Sequence, residues 1–141
     1  MLIDEIYANL ESVTESGCLV WTRALGGGGY GMTWFHGKMH LVHRVVWEHT
    51  YGVIPPHLQI DHLCRVRSCA NAEHLELVTP RTNTLRGIGI TAQHARKIYC
   101  PQGHELFGNN LYKPSPSQPL KRICHICKKA QQRRWRARGR A

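Results

Sequence analysis

The chain has 141 residues, 42% of them apolar but only 8% aromatic, enough for one compact domain or a core domain with a small appended module and too few for a large multidomain enzyme. No apolar run approaches the roughly 18 residues needed to cross a bilayer, and Met1-Leu2-Ile3-Asp4-Glu5 starts acidic where a signal peptide starts basic, so a soluble intracellular protein is expected. Lys and Arg number 19 against 9 Asp and Glu, a formal charge of +10. The excess is one-sided, with 5 basic and 8 acidic side chains in residues 1–80 but 14 and 1 in residues 81–141. The second half is therefore a polyanion-binding surface by composition. Nucleic acid is the first suspect, since no amphipathic apolar stripe accompanies the charges as a membrane surface would require.

Taken in chain order, residues 3–10 read as a short acidic helix and 18–22 as a strand, after which Gly26 to Gly29 break the chain. Residues 30–42 have β character on both sides of His36-Gly37, which predicts a hairpin with Lys38 near its turn. Such a ribbon can enter a major groove, although an ordinary solvated hairpin has the same pattern. Residues 43–52 read as a helix ended by glycine, with Val45, Val46 and Trp47 as core, and Pro55-Pro56 then force a loop. Strands are expected over 58–63 and 74–79, flanking a loop that carries two cysteines. Thr79-Pro80 is an N-cap followed by a first helical residue, so a helix should begin there and stop at Gly87. Residues 88–98 read as a glycine-containing basic linker, 111–120 as a Pro- and Ser-rich loop, and 128–138 as a basic helix.

Six cysteines form an even set, which admits a secreted three-disulfide scaffold, but the absence of a signal peptide and the attached histidines favour metal. Cys64, Cys69 and His74 lie within eleven residues, and Cys18 is the one unpaired thiol left in the first half, making a Cys3His set. Cys100, His104, Cys124 and Cys127 form a second, as two short knuckles of the kind that close tetrahedrally on zinc. His94 and His125 are rival ligands for it. Two zinc ions with six thiolates would lower the formal charge only from +10 to +8, so the cationic argument survives.

Asp61-His62, Asn71, His74 and Asn83 fall along the strand, loop, strand, helix order. In the pattern His62-Leu-Cys64-x4-Cys69-x4-His74-Leu, with Asn83 on the following helix, the sequence resembles the HNH endonuclease superfamily, in particular His-Cys box homing endonucleases and zinc-containing phage HNH proteins. The resemblance covers about residues 18 to 90. It implies an α+β fold, a ββα-metal (His-Me finger) core with an N-terminal β-hairpin, two structural zinc sites and a basic C-terminal helix. It implies a nuclease domain over 1–90 with the first zinc site, and a zinc-knuckle module with a DNA-binding helix over 91–141.

Carried onto this sequence, the resemblance makes His62 the general base and places one Mg2+ or Mn2+ on Asn83 and Asp61, although ideal strand alternation aims Asp61 and His62 at opposite faces. Asn71 would brace the loop, and the cysteine frame would claim His74 for zinc. Arg44, Arg81 and Arg86 are candidates for the cation that stabilises the transition state. Double-stranded DNA would be held by Lys38, Lys121, Arg122, Lys128, Lys129, Arg133, Arg134, Arg136 and Arg138. The implied activity is a metal-dependent DNA endonuclease of phage or homing type that leaves 5′-phosphate and 3′-hydroxyl ends, acting in the cytoplasm of a phage-infected bacterium. A homodimer stays open. The competing expectation is a non-catalytic, zinc-dependent DNA-binding protein on the same scaffold.

Overall fold

The computed structural model describes residues 2–117 and 121–139. The chain divides into two compact units, Met1–Asn83 and Thr84–Ala141. The first opens with helix α1 (Ile3–Tyr7), then the antiparallel hairpin β1 (Leu10–Val13) and β2 (Cys18–Trp21). A second hairpin, β3 (Met32–Phe35) and β4 (Lys38–Leu41), leads into helix α2 (Val42–Tyr51). A third, β5 (Gln59–His62) and β6 (Leu75–Val78), is followed by α3 (Pro80–Arg86), which runs across the boundary between the units.

Local chemistry explains most of these boundaries. His36 and Gly37 both take positive φ, 46° and 74°, the two consecutive left-handed residues that a tight hairpin turn needs to match strand twist. Leu41 hands the chain directly from strand to helix, and Gly52, at φ 92°, ends α2. The Thr79 hydroxyl accepts from the Thr82 amide at 3.2 Å, capping α3 ahead of Pro80.

The main core of the first unit gathers Ile6, Trp21, Val42, Val45, Val46 and Ala70. A second cluster joins Ile54, Ile60 and Leu75, with Trp47 and Leu77 half-buried against it. The connection that matters for the site is between β2 and the loop after β5. The Trp21 amide donates to Ser68 O at 2.9 Å and the Ala70 amide to Leu19 O at 2.8 Å. This strand-like pairing pins Cys69 to β2, two residues from Cys18 along the ladder. Gly31 permits the close packing beneath it, since a Cβ there would lie 2.9 Å from the Trp21 ring. Gly31→Ala should therefore lower stability by about 1–3 kcal/mol through overpacking of a buried ring. Urea unfolding monitored by Trp fluorescence checks this, and an unchanged midpoint would contradict it.

The second unit contains α4 (Ile90–Arg96), a 3-10 turn at Gly108–Asn110, the short pair β7 (Leu111–Tyr112) and β8 (Ile123–Cys124), and α5 (His125–Arg138). Its core is small: Cys100, Leu106 and Cys124, flanked by Leu111 and Cys127. Arg122 ties the unit together, donating to Ala95 O and Lys97 O at 2.7 Å each and to Leu106 O at 2.9 Å.

Three expectations change. The first helix ends at Tyr7, and Leu10 begins a strand opposite Trp21, because Leu10 packs its side chain on the main core instead of completing a helical turn. Residues 88–98 are not a plain linker. Ile90–Arg96 is helical, with Ala92 fully buried and its last carbonyls held by Arg122, tertiary contacts that composition does not announce. Within 111–120, Leu111 and Tyr112 form a strand with β8, and residues 118–120 lie outside the described residues.

Candidate active site and metal centres

The ligand atoms of Cys18, Cys64, Cys69 and His74 all lie within 4.8 Å of one another, as do those of Cys100, His104, Cys124 and Cys127. A tetrahedral zinc with S at about 2.3 Å and N at about 2.0 Å sets edges of about 3.8 Å between sulfurs and about 3.5 Å between S and N. In the first set His74 Nδ1 stands 3.6 Å from Cys18 Sγ and 3.7 Å from Cys69 Sγ. In the second, Cys100 Sγ is 3.7 Å from Cys127 Sγ, and His104 Nδ1 is 3.3 to 3.7 Å from the three sulfurs. Both sets could hold a zinc ion, the second with donor separations already close to the tetrahedral edges. Of the rival ligands, His125 stacks on Tyr112 and His94 is exposed on α4.

The strand, loop, strand, helix segment is braced on the first frame. Asn71, between Cys69 and His74, accepts from the Glu73 amide at 3.0 Å and donates to Gly17 O at 2.7 Å, tying the loop to the β1–β2 turn. His62 is the last residue of β5 and only 5% exposed. Its Nε2 lies 3.1 Å from Cys69 O. A carbonyl can only accept, so Nε2 carries the proton and Nδ1 is left with its lone pair. Burial pushes the His62 pKa down, opposed by the Cys69 carbonyl and Asp61 and assisted by Arg65 and Arg67. The neutral, base-competent imidazole is thus the favoured form near neutral pH.

Asp61 is 4% exposed, and its Oδ1 accepts from Arg65 at 2.6 Å. Strand alternation puts Asp61 on the same face of β5 as Gln59, and Gln59 Oε1 accepts from Asn83 Nδ2 at 3.1 Å. Asn83 is therefore anchored on the Asp61 face with its amide oxygen, an atom that could hold a metal, not used in that bond. Glu76 pairs with Asp61 across the hairpin on this face. His62 sits on the alternate face, opposite buried Leu75.

Several neighbours of His62 escape a sequence reading. His43, on the buried face of α2, stands edge-on to His62 with ring centroids 4.8 Å apart, and Tyr30 lies 5.4 Å from His43 and 5.8 Å from His62. Arg67 reaches over the Tyr30 ring and donates to Gly28 O at 2.8 Å. Arg65 and Arg67 are the cations that act electrostatically on His62. Arg44 does so on His43, Arg81 is exposed on α3, and Arg86 is at its end. The alternation Arg65-Val66-Arg67 inside a cysteine-bounded loop directly after the base was a signal that could have identified this pair. Lys38 is exposed beside the β3–β4 turn.

His43 is 5% exposed and its Nδ1 has no hydrogen-bond partner among the described residues. Burial, helped by His62 and Arg44, drives its pKa from 6.5 down to about 3. Above pH 6.5 neither folded nor unfolded chain protonates there. Below it the unfolded chain takes a proton that the folded one refuses until about pH 3, so stability falls with acidification. The slope is at most about 1.4 kcal/mol per pH unit, or roughly 2 kcal/mol lost by pH 5. Denaturant titrations at pH 7 and pH 5 should show that loss in the wild type and a smaller one in His43→Phe. Acid release of zinc is common to both proteins and cancels in the comparison.

Residues 40–85, from β4 through α3, match the family model of the HNH endonucleases. The stretch holds His62, Asp61, Asn83 and three of the first four cysteine-frame ligands, so the likeness resides in the segment that carries the candidate chemistry. The chain is also similar to three phage proteins. It is 39% identical over 67 residues to protein 7.7 of Escherichia phage T7, covering 48% of this chain and 52% of the relative. It is 41% identical over 49 residues to an uncharacterized gene 5.3 protein of Enterobacteria phage T3, covering 35% and 48%. It is 36% identical over 74 residues to protein 2.8 of phage T7, covering 51% and 50%. The chain spans about half the length of these curated relatives. No solved structure matches. Among the described residues no helix is long and apolar enough to cross a membrane.

Proposed function

We propose that the protein is a metal-dependent DNA endonuclease of phage type, with two structural zinc sites, acting inside a phage-infected bacterium. The observation that carries this reading is the His62 tautomer. The Cys69 carbonyl, held in place by the pairing of Ser68 to Ala70 with β2, accepts a hydrogen bond from Nε2–H and so leaves a buried imidazole with its lone pair oriented at Nδ1. The order β5, β6, α3 supports a ββα-metal core over the matched segment.

In this reading His62 Nδ1 takes the proton from a water that attacks the scissile phosphate. The bond from phosphorus to the 3′ oxygen breaks as the water oxygen bonds to phosphorus, and the departing oxygen takes a proton from solvent, leaving 5′-phosphate and 3′-hydroxyl ends. Asp61 and Asn83 would hold one Mg2+ or Mn2+. Their oxygen donors suit a hard cation, which would share Asp61 with the Arg65 guanidinium now bonded to its Oδ1 or displace it. When bound, the ion supplies Lewis-acid stabilisation of the phosphorane charge and the leaving oxygen. Arg65 and Arg67 join Arg44, Arg81 and Arg86 as candidates to neutralise the phosphate.

The test is incubation of the zinc-loaded protein with supercoiled plasmid and Mg2+ or Mn2+ at neutral pH. Relaxed or linear DNA with 5′-phosphate ends is expected, and Asn83→Ala should lose the dependence on added divalent ion together with the cutting. No cleavage of plasmid or of phage and host genomic DNA with either ion would overturn the enzyme reading in favour of the binding module.

A further inference from the structure

We infer that α5 is a sequence-reading helix for the major groove of double-stranded DNA, with Gln131, Gln132 and Trp135 as its base-contacting residues. The inference rests on the proposal that DNA is the partner, but not on the proposed chemistry. Residues 129–138 are all exposed, so no core requirement explains what this helix carries. Its root is firmly held. The Cys124 sulfur caps the Cys127 amide, Asn110 Oδ1 accepts from the Ile126 amide at 3.0 Å, and Lys128 sits over the Tyr112 ring at 3.6 Å. Beyond that root the helix is an unpacked rod of 14 residues in total, about 21 Å long.

The side chains on this rod are sorted by face. Gln131, Gln132 and Trp135, with Lys128 at the root, recur at spacings of three and four along one face, with Arg134 and Arg138 at its edge. Lys129, Arg133 and Arg136 follow the opposite edge at the same spacings, while Ala130 and Ala137 lie on the back. The neutral, bidentate side chains thus form a central stripe with cations on both sides. That is the layout a helix needs in a groove: amides facing base edges and guanidiniums facing the two phosphate backbones. A helix about 10–12 Å across fits the roughly 12 Å major groove. Glutamine pairs in bidentate fashion with adenine N6 and N7, and the Trp135 ring, 76% exposed, supplies apolar surface for a thymine methyl.

A structural role does not account for the pattern. From His125 to Arg138 there is no acidic residue, so the cations cannot form ion pairs along the helix and repel one another. An apolar protein partner would want a stripe of aliphatic residues, and Trp135 stands alone. A helix that is polar all round and charged with one sign draws its stability from a polyanion, and the paired glutamines add discrimination that phosphate contacts lack.

The experiment selects binding sites from a randomised duplex pool with the zinc-loaded full chain and no added Mg2+, so that cleavage plays no part. The wild type should enrich sequences with at least one A·T pair at two neighbouring positions. Gln131→Ala combined with Gln132→Ala should flatten the preference there, reducing discrimination by about 5- to 150-fold at each contacted pair. Trp135→Ala should relax an adjacent position. Arg133→Ala combined with Arg136→Ala should instead weaken all sequences alike and reduce the salt slope by about one for each charge. Because all these residues are exposed, zinc content and helicity should match the wild type. The inference is overturned if the wild type enriches nothing, if the glutamine double variant keeps the full preference, or if single strands or anionic vesicles bind as tightly as duplex. Cleavage without a glutamine-dependent preference leaves the nuclease reading standing and removes this one. A preference without cleavage does the reverse.

Discussion

If His62 is the general base, replacing it with alanine should lower DNA cleavage by about 10²- to 10⁴-fold, the usual contribution of a positioned base, while zinc content and DNA affinity hold. The expectation follows from where the proton sits. Nε2 is committed to the Cys69 carbonyl at 3.1 Å, so no other group can use that nitrogen, and Nδ1 is left for the attacking water. Truncation also removes a ring packed beside His43 and Tyr30, and the gap would soften the site. His62→Gln is the useful companion, since its amide can still donate to Cys69 O but offers no comparable base. Both variants should bind plasmid normally and fail to cut it under single-turnover conditions. Wild-type rates in either would move the base to another residue.

The second large effect is on the zinc of the second unit. Removing His104 or Cys124 should unfold that unit while the first keeps its structure. The reason lies in the composition of the two cores. The first unit buries Ile6, Trp21, Val42, Val45 and Val46 in one cluster and Ile54, Ile60 and Leu75 in another. Among the described residues, the one buried cluster of the second unit is two ligand cysteines and Leu106, with Ala92 buried apart from it, so without metal little apolar surface is left to hold α5, β8 and the knuckles together. Structural zinc supplies on the order of 10 kcal/mol of folding free energy in small modules, far more than this remnant core can replace. In Cys124→Ser the bound zinc should fall from about two per chain to about one, and much of the helical circular dichroism should go. Retention of α5 helicity with one zinc lost would show that Arg122 and its carbonyl contacts suffice by themselves.

The two cores also explain what could be read in advance. The hairpin at His36-Gly37, the end of α2 at Gly52 and the Thr79-Pro80 start of α3 each depend on local dihedral and capping preferences, which a residue carries wherever it is placed. Both metal sets were legible because Cys-x2-Cys and Cys-x3-His knuckles are local, and because Cys18 was the one thiol left over. The strand at Leu10–Val13 and the helix at Ile90–Arg96 were not legible. Leu10 is extended because it packs on the main core opposite Trp21, and Ala92 is helical where it is buried and its neighbours are held by Arg122.

For the candidate site, residue type and short spacing alone supply the chemical groups: a histidine after an aspartate, a cysteine frame, an asparagine on the next helix and a charge excess confined to the second half. How those groups are arranged depends on contacts between elements far apart in the chain. The pairing of β2 with Ser68 to Ala70 brings Cys18 to Cys69 and sets the carbonyl that chooses the His62 tautomer. The same fold places His43, Tyr30, Arg65 and Arg67 around His62, and commits the Arg122 guanidinium to four backbone carbonyls. Contacts across 39 to 56 residues of chain, such as Arg67 with Gly28 and Cys18 with His74, form only when separate hairpins pack, and no local preference encodes them.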